Sequence, residues 1–187
     1  MKIISQLPLL FLVFTLSCEK EAENYPFHLN ASSPMRSEFD GLKIVAKPQK
    51  RIYSSDEAPV IEVIFTNVSS KPIALLNHFA YCAEGPTLTI NRFSPSNSTR
   101  FQMMVFEKSL PFSQASPKWL ILKPKESYSF KSSLAEKLPT GHHRLQVFYS
   151  VGGPAAKMIT ECRAIADCPK DFWHGSIATD IITIDIQ

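Results

Sequence analysis

Glycine is scarce in this chain, with six among 187 residues, and cysteine and tryptophan number only four and two. Three common chemical signatures are missing. There is no G-x-S-x-G elbow to present a serine nucleophile, no H-E-x-x-H helix to hold zinc, and no P-loop to cradle a phosphate. The expectation is therefore a non-enzyme without a cofactor. An excess of one charge is also missing: 20 basic residues stand against 17 acidic ones, a net charge of +3. No Lys/Arg block or basic stripe with interleaved aromatics occurs, so nucleic acid is not an expected partner. Long apolar runs are lacking too, and nothing reaches the roughly 20 residues that cross a bilayer as a helix. No window of helix length shows a 3.6-residue period with caps. The best stretch, Ser132 to Leu138, is short and ends at Pro139.

What is present begins with an export leader. Met1 to Ser17 carries one positive charge, Lys2, then an apolar stretch from Leu7 to Val13, and ends in Thr15, Leu16 and Ser17. Such a leader is expected to be removed. Thr15-Leu16-Ser17-Cys18 resembles the lipobox of bacterial lipoproteins, with Thr15 where that pattern usually has Leu. The resemblance implies that Cys18 is acylated before cleavage and becomes the new N-terminus. More than one acyl chain, at about 0.8 kcal/mol per buried methylene, holds a protein on a membrane stably. The expected partners are thus the membrane of the bacterial cell envelope, through this lipid, and a protein. An ordinary secreted chain cut near Ser17 is the alternative. From Glu19 to about Ser37 the chain is polar, with Asn24, Pro26, Ser32, Ser33 and Pro34 and no apolar period, and reads as a tether. The expected division is a leader over 1–17, a tether over 18–37 and one folded domain over 38–187.

Export permits disulfides, and Cys82, Cys162 and Cys168 remain after Cys18. Cys162 with Cys168 is the expected pair, and closing so short a loop contributes on the order of 2 kcal/mol. Pairing of either with Cys82 is the rival. Asn30, Asn67 and Asn97 each open an Asn-x-Ser/Thr triplet, read here as turn chemistry rather than glycan sites. Adjacent His142 and His143 would point to opposite faces of a strand, which prevents joint chelation. Met103, Met104 and Met158, with the histidines and cysteines, are ligand types that suit copper, yet their spacing does not assemble them. No metal is expected.

The rest of the chain alternates. Leu42, Ile44 and Ala46 interleave with Lys43, Val45 and Lys47, and Ile61, Val63 and Phe65 oppose Glu62. Short runs follow over 73–76, 87–90, 101–106, 119–122 and 127–134. In the run from Arg144 to Val151, Leu145, Val147, Tyr149 and Val151 share one face. A last run covers Ile177 to Ile186, where adjacent Ile181 and Ile182 predict a bulge or two-sided burial. Turn residues separate these runs, and the pattern predicts an all-β antiparallel sandwich of about seven to nine strands.

Four phrases also resemble bacterial immunoglobulin-like domains: Asp56-Glu57-Ala58-Pro59-Val60 entering a strand that ends in Thr66-Asn67, Leu122-Lys123-Pro124-Lys125-Glu126 with Lys125 in place of Gly, Thr140-Gly141 before Leu145 to Tyr149, and Trp173-His174-Gly175. The resemblance implies an immunoglobulin-like sandwich and a role in binding or scaffolding. An inhibitor of an exported protease and a periplasmic copper-binding protein are the alternatives. Trp173 and His174, beside the Cys162 to Cys168 loop, are the candidate interaction surface. The competing expectation is that Trp173 plugs one end of the sandwich.

Overall fold

Apolar residues at every second position are enough to raise the first sheet. In the computed structural model, which describes residues 36–76, 87–94, 97–108, 119–151, 169 and 172–187, β2 (Leu42–Pro48) and β4 (Val60–Asn67) pair antiparallel from Leu42 opposite Asn67 to Pro48 opposite Ile61. β9 (Ser127–Ser133) lines the other side of β4, and β1 (Glu38–Phe39) adds to β2, in the order β1-β2-β4-β9. Leu42, Ile44, Ala46, Ile61, Val63 and Phe65 are buried on one face. The other face carries Lys43, Lys47, Glu62 and Lys131, because neighbouring residues of a strand point to opposite sides.

The second sheet is built on β10 (Gly141–Val151), whose alternate residues Leu145, Val147, Tyr149 and Val151 are buried. β6 (Thr87–Ser94) flanks it, followed by β7 (Asn97–Val105). The other flank of β10 is shared by β11 (Gly175–Ala178) and β12 (Ile182–Ile186), and β3 (Ile52–Tyr53) lies parallel to β12. Between the pairs Leu145↔Ile182 and Phe148↔Ala178, β10 places Gln146 and Val147 against Thr179, Asp180 and Ile181, one residue more. This is the bulge that the adjacent isoleucines predicted. Thr179 bridges it, donating its N–H to Val147 O at 2.9 Å and accepting from Val147 N through Oγ1 at 3.2 Å, while Ile181 turns outward. A separate ribbon pairs β5 (Ile73–Leu76) with β8 (Trp119–Leu122).

All the described residues are therefore strands and turns, and the all-β antiparallel sandwich stands. In chain order the strands distribute as the A-B-E and G-F-C-C′ strands of an immunoglobulin sandwich do: β2, β4 and β9 in one sheet, β12, β10, β6 and β7 in the other. Among the described residues there are twelve strand segments. The excess over nine has physical causes. β1 and β3 are too short to show a period, and the bulge splits the last run. β6 and β7 also extend past the expected runs, through the mostly polar Asn91 to Ser94 and the polar Asn97 to Arg100, which hide their alternation.

The inner faces meet through aromatic rings. Phe65 of β4 packs edge-on against Tyr149 of β10 at 5.0 Å, Tyr149 stacks on Trp173 at 5.4 Å, and Trp173 meets Phe39 of β1 at 6.4 Å. Burial pushes the Tyr149 phenol well above the usual tyrosine range. Tyr53 stitches the two sheets together, its hydroxyl accepting from Lys50 N and donating to Val60 O, each at 3.0 Å.

Three turns fix where strands end. Asp40 and Gly41, at φ of 46° and 74°, form the two-residue hairpin between β1 and β2 that needs positive φ at both positions. A side chain on Gly41 would also meet Ser69 Cβ at 2.6 Å. Lys125 sits at φ 66° after Pro124, in a turn closed by Glu126 N donating to Lys123 O at 3.0 Å. Its position is the one that glycine prefers in a type II turn. Asn67 closes β4. Its Nδ2 donates to Lys71 O at 2.7 Å and Leu122 O at 2.8 Å, and its Oδ1 accepts from Ser69 N at 2.9 Å and Ser69 Oγ at 2.7 Å. The amide is fully buried and fully used, so Asn67 is turn chemistry, as its sequence context suggests.

Candidate interaction surface

Trp173 and His174 lie in the short segment that enters β11, and the backbone there is pinned by Trp173 N donating to Ala74 O of β5 at 2.9 Å. Trp173 is not a surface residue. It is 4% exposed, its Nε1 donates to Phe39 O at 3.0 Å, and its ring fills the space between Tyr149 and Phe39. This corrects the expectation of an exposed tryptophan in favour of the plug: a large apolar ring with one donor is best placed where the donor finds a carbonyl and the ring leaves water. This one residue thereby ties three strands together, its indole reaching β1 and β10 and its backbone N–H reaching β5. Gly175 follows because the Phe39 ring lies over it; a Cβ there would meet Phe39 Cε1 at 2.8 Å, at a φ of 143° that disfavours side chains.

With Trp173 turned inward, its neighbours turn outward. His174 is exposed, as the sequence suggested, and Phe172 is half-buried. The Phe172 ring lies 5.6 Å from Trp119 of β8 and 6.3 Å from His174. Trp119, Phe172 and His174 thus form an aromatic corner beside the ribbon, next to Ile121, which is 49% exposed. Sequence reasoning singled out His174 and missed Phe172 and Trp119. The signal existed, since in extended chain a buried residue puts both neighbours on the opposite side.

The other candidates separate. His142 faces outward and pairs with Asp185, Nδ1 to Oδ1 at 2.8 Å, while His143 is buried and donates Nε2–H to Pro139 O at 2.7 Å. They lie on opposite faces, as expected. Met103 is 48% exposed and Met104 is buried, so the pair does not converge either. Among the described residues no three His, Cys, Asp or Glu side chains come together as metal ligands. Cys18, Cys82, Cys162, Cys168 and Met158 lie outside the described residues, as do Asn30 and the side chain of Asn97.

Beyond the corner, the outer face of the second sheet carries Phe101, 43% exposed, with Met103 and Phe93. The Phe93 ring lies 6.4 Å from that of Phe101, and the Arg144 guanidinium is 5.9 Å from the Phe93 centroid.

No family model matches the chain, and no curated protein sequence matches it. Among solved structures, the chain is similar to a β-glucosidase from Listeria innocua. The complexes with laminaribiose (a mutant) and isofagomine are each 13% identical, and the glucose complex is 14% identical, all at a TM-score of 0.35. Each match covers 78% of this chain and 16% of the glucosidase chain, so this chain corresponds to a small part of that enzyme's length.

Proposed function

We propose that this protein is a membrane-anchored, non-enzymatic binding or scaffold module of the bacterial cell envelope, held by a lipid on Cys18. The aromatic corner of Trp119, Phe172 and His174 carries the reading. Two half-buried rings and an imidazole, set on a backbone that the buried Trp173 fixes, form the kind of rigid surface that anchors a protein partner at low entropic cost. The partner is a protein that presents an aliphatic or aromatic side chain to the rings and an acceptor to the imidazole N–H. The tether, from Glu19 to about Ser37, supports the same reading, since fully extended it would let this corner work up to about 60 Å from the membrane.

The test has two arms. Mass spectrometry of the purified full chain is expected to find a mature N-terminus at Cys18 bearing a lipid mass; an unmodified Cys18 at that terminus sinks the anchor. A photo-crosslinker placed at His174 in cells is expected to give one discrete adduct, absent when it replaces Lys131 on the opposite sheet and lost on Phe172→Ser with the melting temperature kept. Equal adducts at both positions sink the surface.

A further inference from the structure

On the outer face of the second sheet, a buried polar side chain stands among aromatic rings and makes no bond. Across β10, β6 and β7, Phe93 lies between Arg144 and Phe101, and Asn91 lies between Gln146 and Met103. Residues paired across strands share a face, so these six side chains form one patch with Asn91 on its middle strand. Asn91 is 3% exposed. Among the described residues its amide makes no hydrogen bond, while its nitrogen and oxygen both still reach the surface. A buried amide left unmatched costs stability, so the fold gives no reason for asparagine here. Beside it, Gln146 donates Nε2–H to Thr179 O at 2.7 Å and holds Oε1 without a partner among the described residues. Arg144 is half-buried, with its guanidinium 5.9 Å from the Phe93 centroid, and meets no carboxylate among the described residues. The acid on the same face, Asp185 of β12, is held by His142 at 2.8 Å.

We propose that this patch binds a carboxylated sugar of an acidic glycan. The unmatched groups are an amide with donors and an acceptor, a second acceptor, and a cation, and they lie within one residue pair of two aromatic rings. A sugar acid matches all of them at that scale. Its hydroxyls can both donate to and accept from the Asn91 amide and donate to Gln146 Oε1, and its carboxylate takes the Arg144 guanidinium in the two-pronged geometry that arginine favours. Its ring C–H groups, slightly positive, suit the negative faces of Phe93 and Phe101, whose centroids are 6.4 Å apart. A peptide fits less well. β6 is paired on both sides and offers no edge to a strand, and an apolar side chain laid on the rings would seal Asn91 away from water without a partner. Phe101 and Met103, 43% and 48% exposed, leave the patch open on the β7 side. Binding to so flat a site is weak for one sugar and is strengthened by the repeated units of a polymer. The patch is separate from the aromatic corner, and its test does not depend on that reading.

The experiment titrates the full chain, in micelles of a detergent that contains no sugar, with an oligomer of galacturonic acid, with the same oligomer reduced at its carboxyls to the neutral sugar, and with an oligomer of glutamic acid. Calorimetry is expected to give a Kd of about 1 mM or tighter for the acidic sugar, and binding at least tenfold weaker for the other two. Asn91→Leu should weaken the acidic sugar at least tenfold with the melting temperature kept or raised, and Arg144→Gln should remove the preference for the acidic form over the reduced one. Lys131→Gln, on the opposite sheet, should change neither. If Asn91→Leu lowers the melting temperature, Phe101→Ser at the exposed ring decides in its place, again with a tenfold loss expected. Absence of binding by the acidic oligomer overturns the proposal. So does equal binding of the reduced sugar or of the glutamate oligomer, or binding that survives both Asn91→Leu and Phe101→Ser.

Discussion

Asn67→Ala tests how far one buried side chain holds this fold together. The amide joins the end of β4 to the turn at Lys71 and the end of β8 at Leu122 through four hydrogen bonds, from a site with no exposure. Not all of them are lost outright. Ser69 Oγ lies 2.8 Å from Lys71 O, so its one proton, released from Asn67 Oδ1, can turn to that carbonyl, and Ser69 N is near enough to the surface to find water. Leu122 O has neither remedy. Two to three net hydrogen bonds at about 1 kcal/mol each, and one stranded carbonyl at about 1–3 kcal/mol, give a loss of about 3–6 kcal/mol. For a domain of roughly 150 residues that lowers the melting temperature by about 6–24 °C. Urea denaturation should show the midpoint falling with the slope unchanged. Asn67→Asp sharpens the test. An ionised carboxylate would face two carbonyls in a dry site, so its folded pKa rises above the unfolded value near 3.9. That variant should be weak at pH 8 and recover as pH falls through the raised pKa. A loss under about 1 kcal/mol for the alanine variant, or an aspartate variant equally stable at pH 5 and pH 8, refutes the reasoning.

Trp173→Ala should lose about 3–5 kcal/mol in the same denaturation assay, since it empties the space between Tyr149 and Phe39; a loss under about 1 kcal/mol would contradict its role as a plug. Lys125→Gly should stabilise by about 0.5–1 kcal/mol, the left-handed penalty less the extra chain entropy of glycine, and a drop in melting temperature would refute the turn assignment. The raised Tyr149 phenol makes stability fall with pH above about 10, because the unfolded chain then releases a proton that the folded chain keeps, at about 1.4 kcal/mol per pH unit. Tyr149→Phe should flatten that alkaline loss relative to the parent between pH 9 and 11; identical slopes would count against it.

Much of the sandwich was legible because alternation is a property of single strands. Leu42, Ile44, Val63, Phe65, Leu145 and Val147 needed only their neighbours to announce a buried face, and all are buried. The bulge at Thr179 to Ile181 was legible for the same reason, since two adjacent isoleucines break a period of two. Lys125 occupies a left-handed position that its place after Pro124 indicates. The aromatic corner was half legible: His174 was singled out, while Trp119 arrives from a strand far away in the chain.

By itself the sequence determined the fold class, the strand faces and the turns, each set by residues within a few positions of one another. Only the tertiary structure decided what covers each face. Trp173 is buried because Tyr149, Phe39 and Ala74 converge on it from separate strands, and Met103 is exposed while Met104 of the same strand is buried because the other sheet packs on one face of β7 alone. Burial belongs to pairs of residues distant in the chain, and a period of two says which side of a strand is apolar without saying what will lie against it.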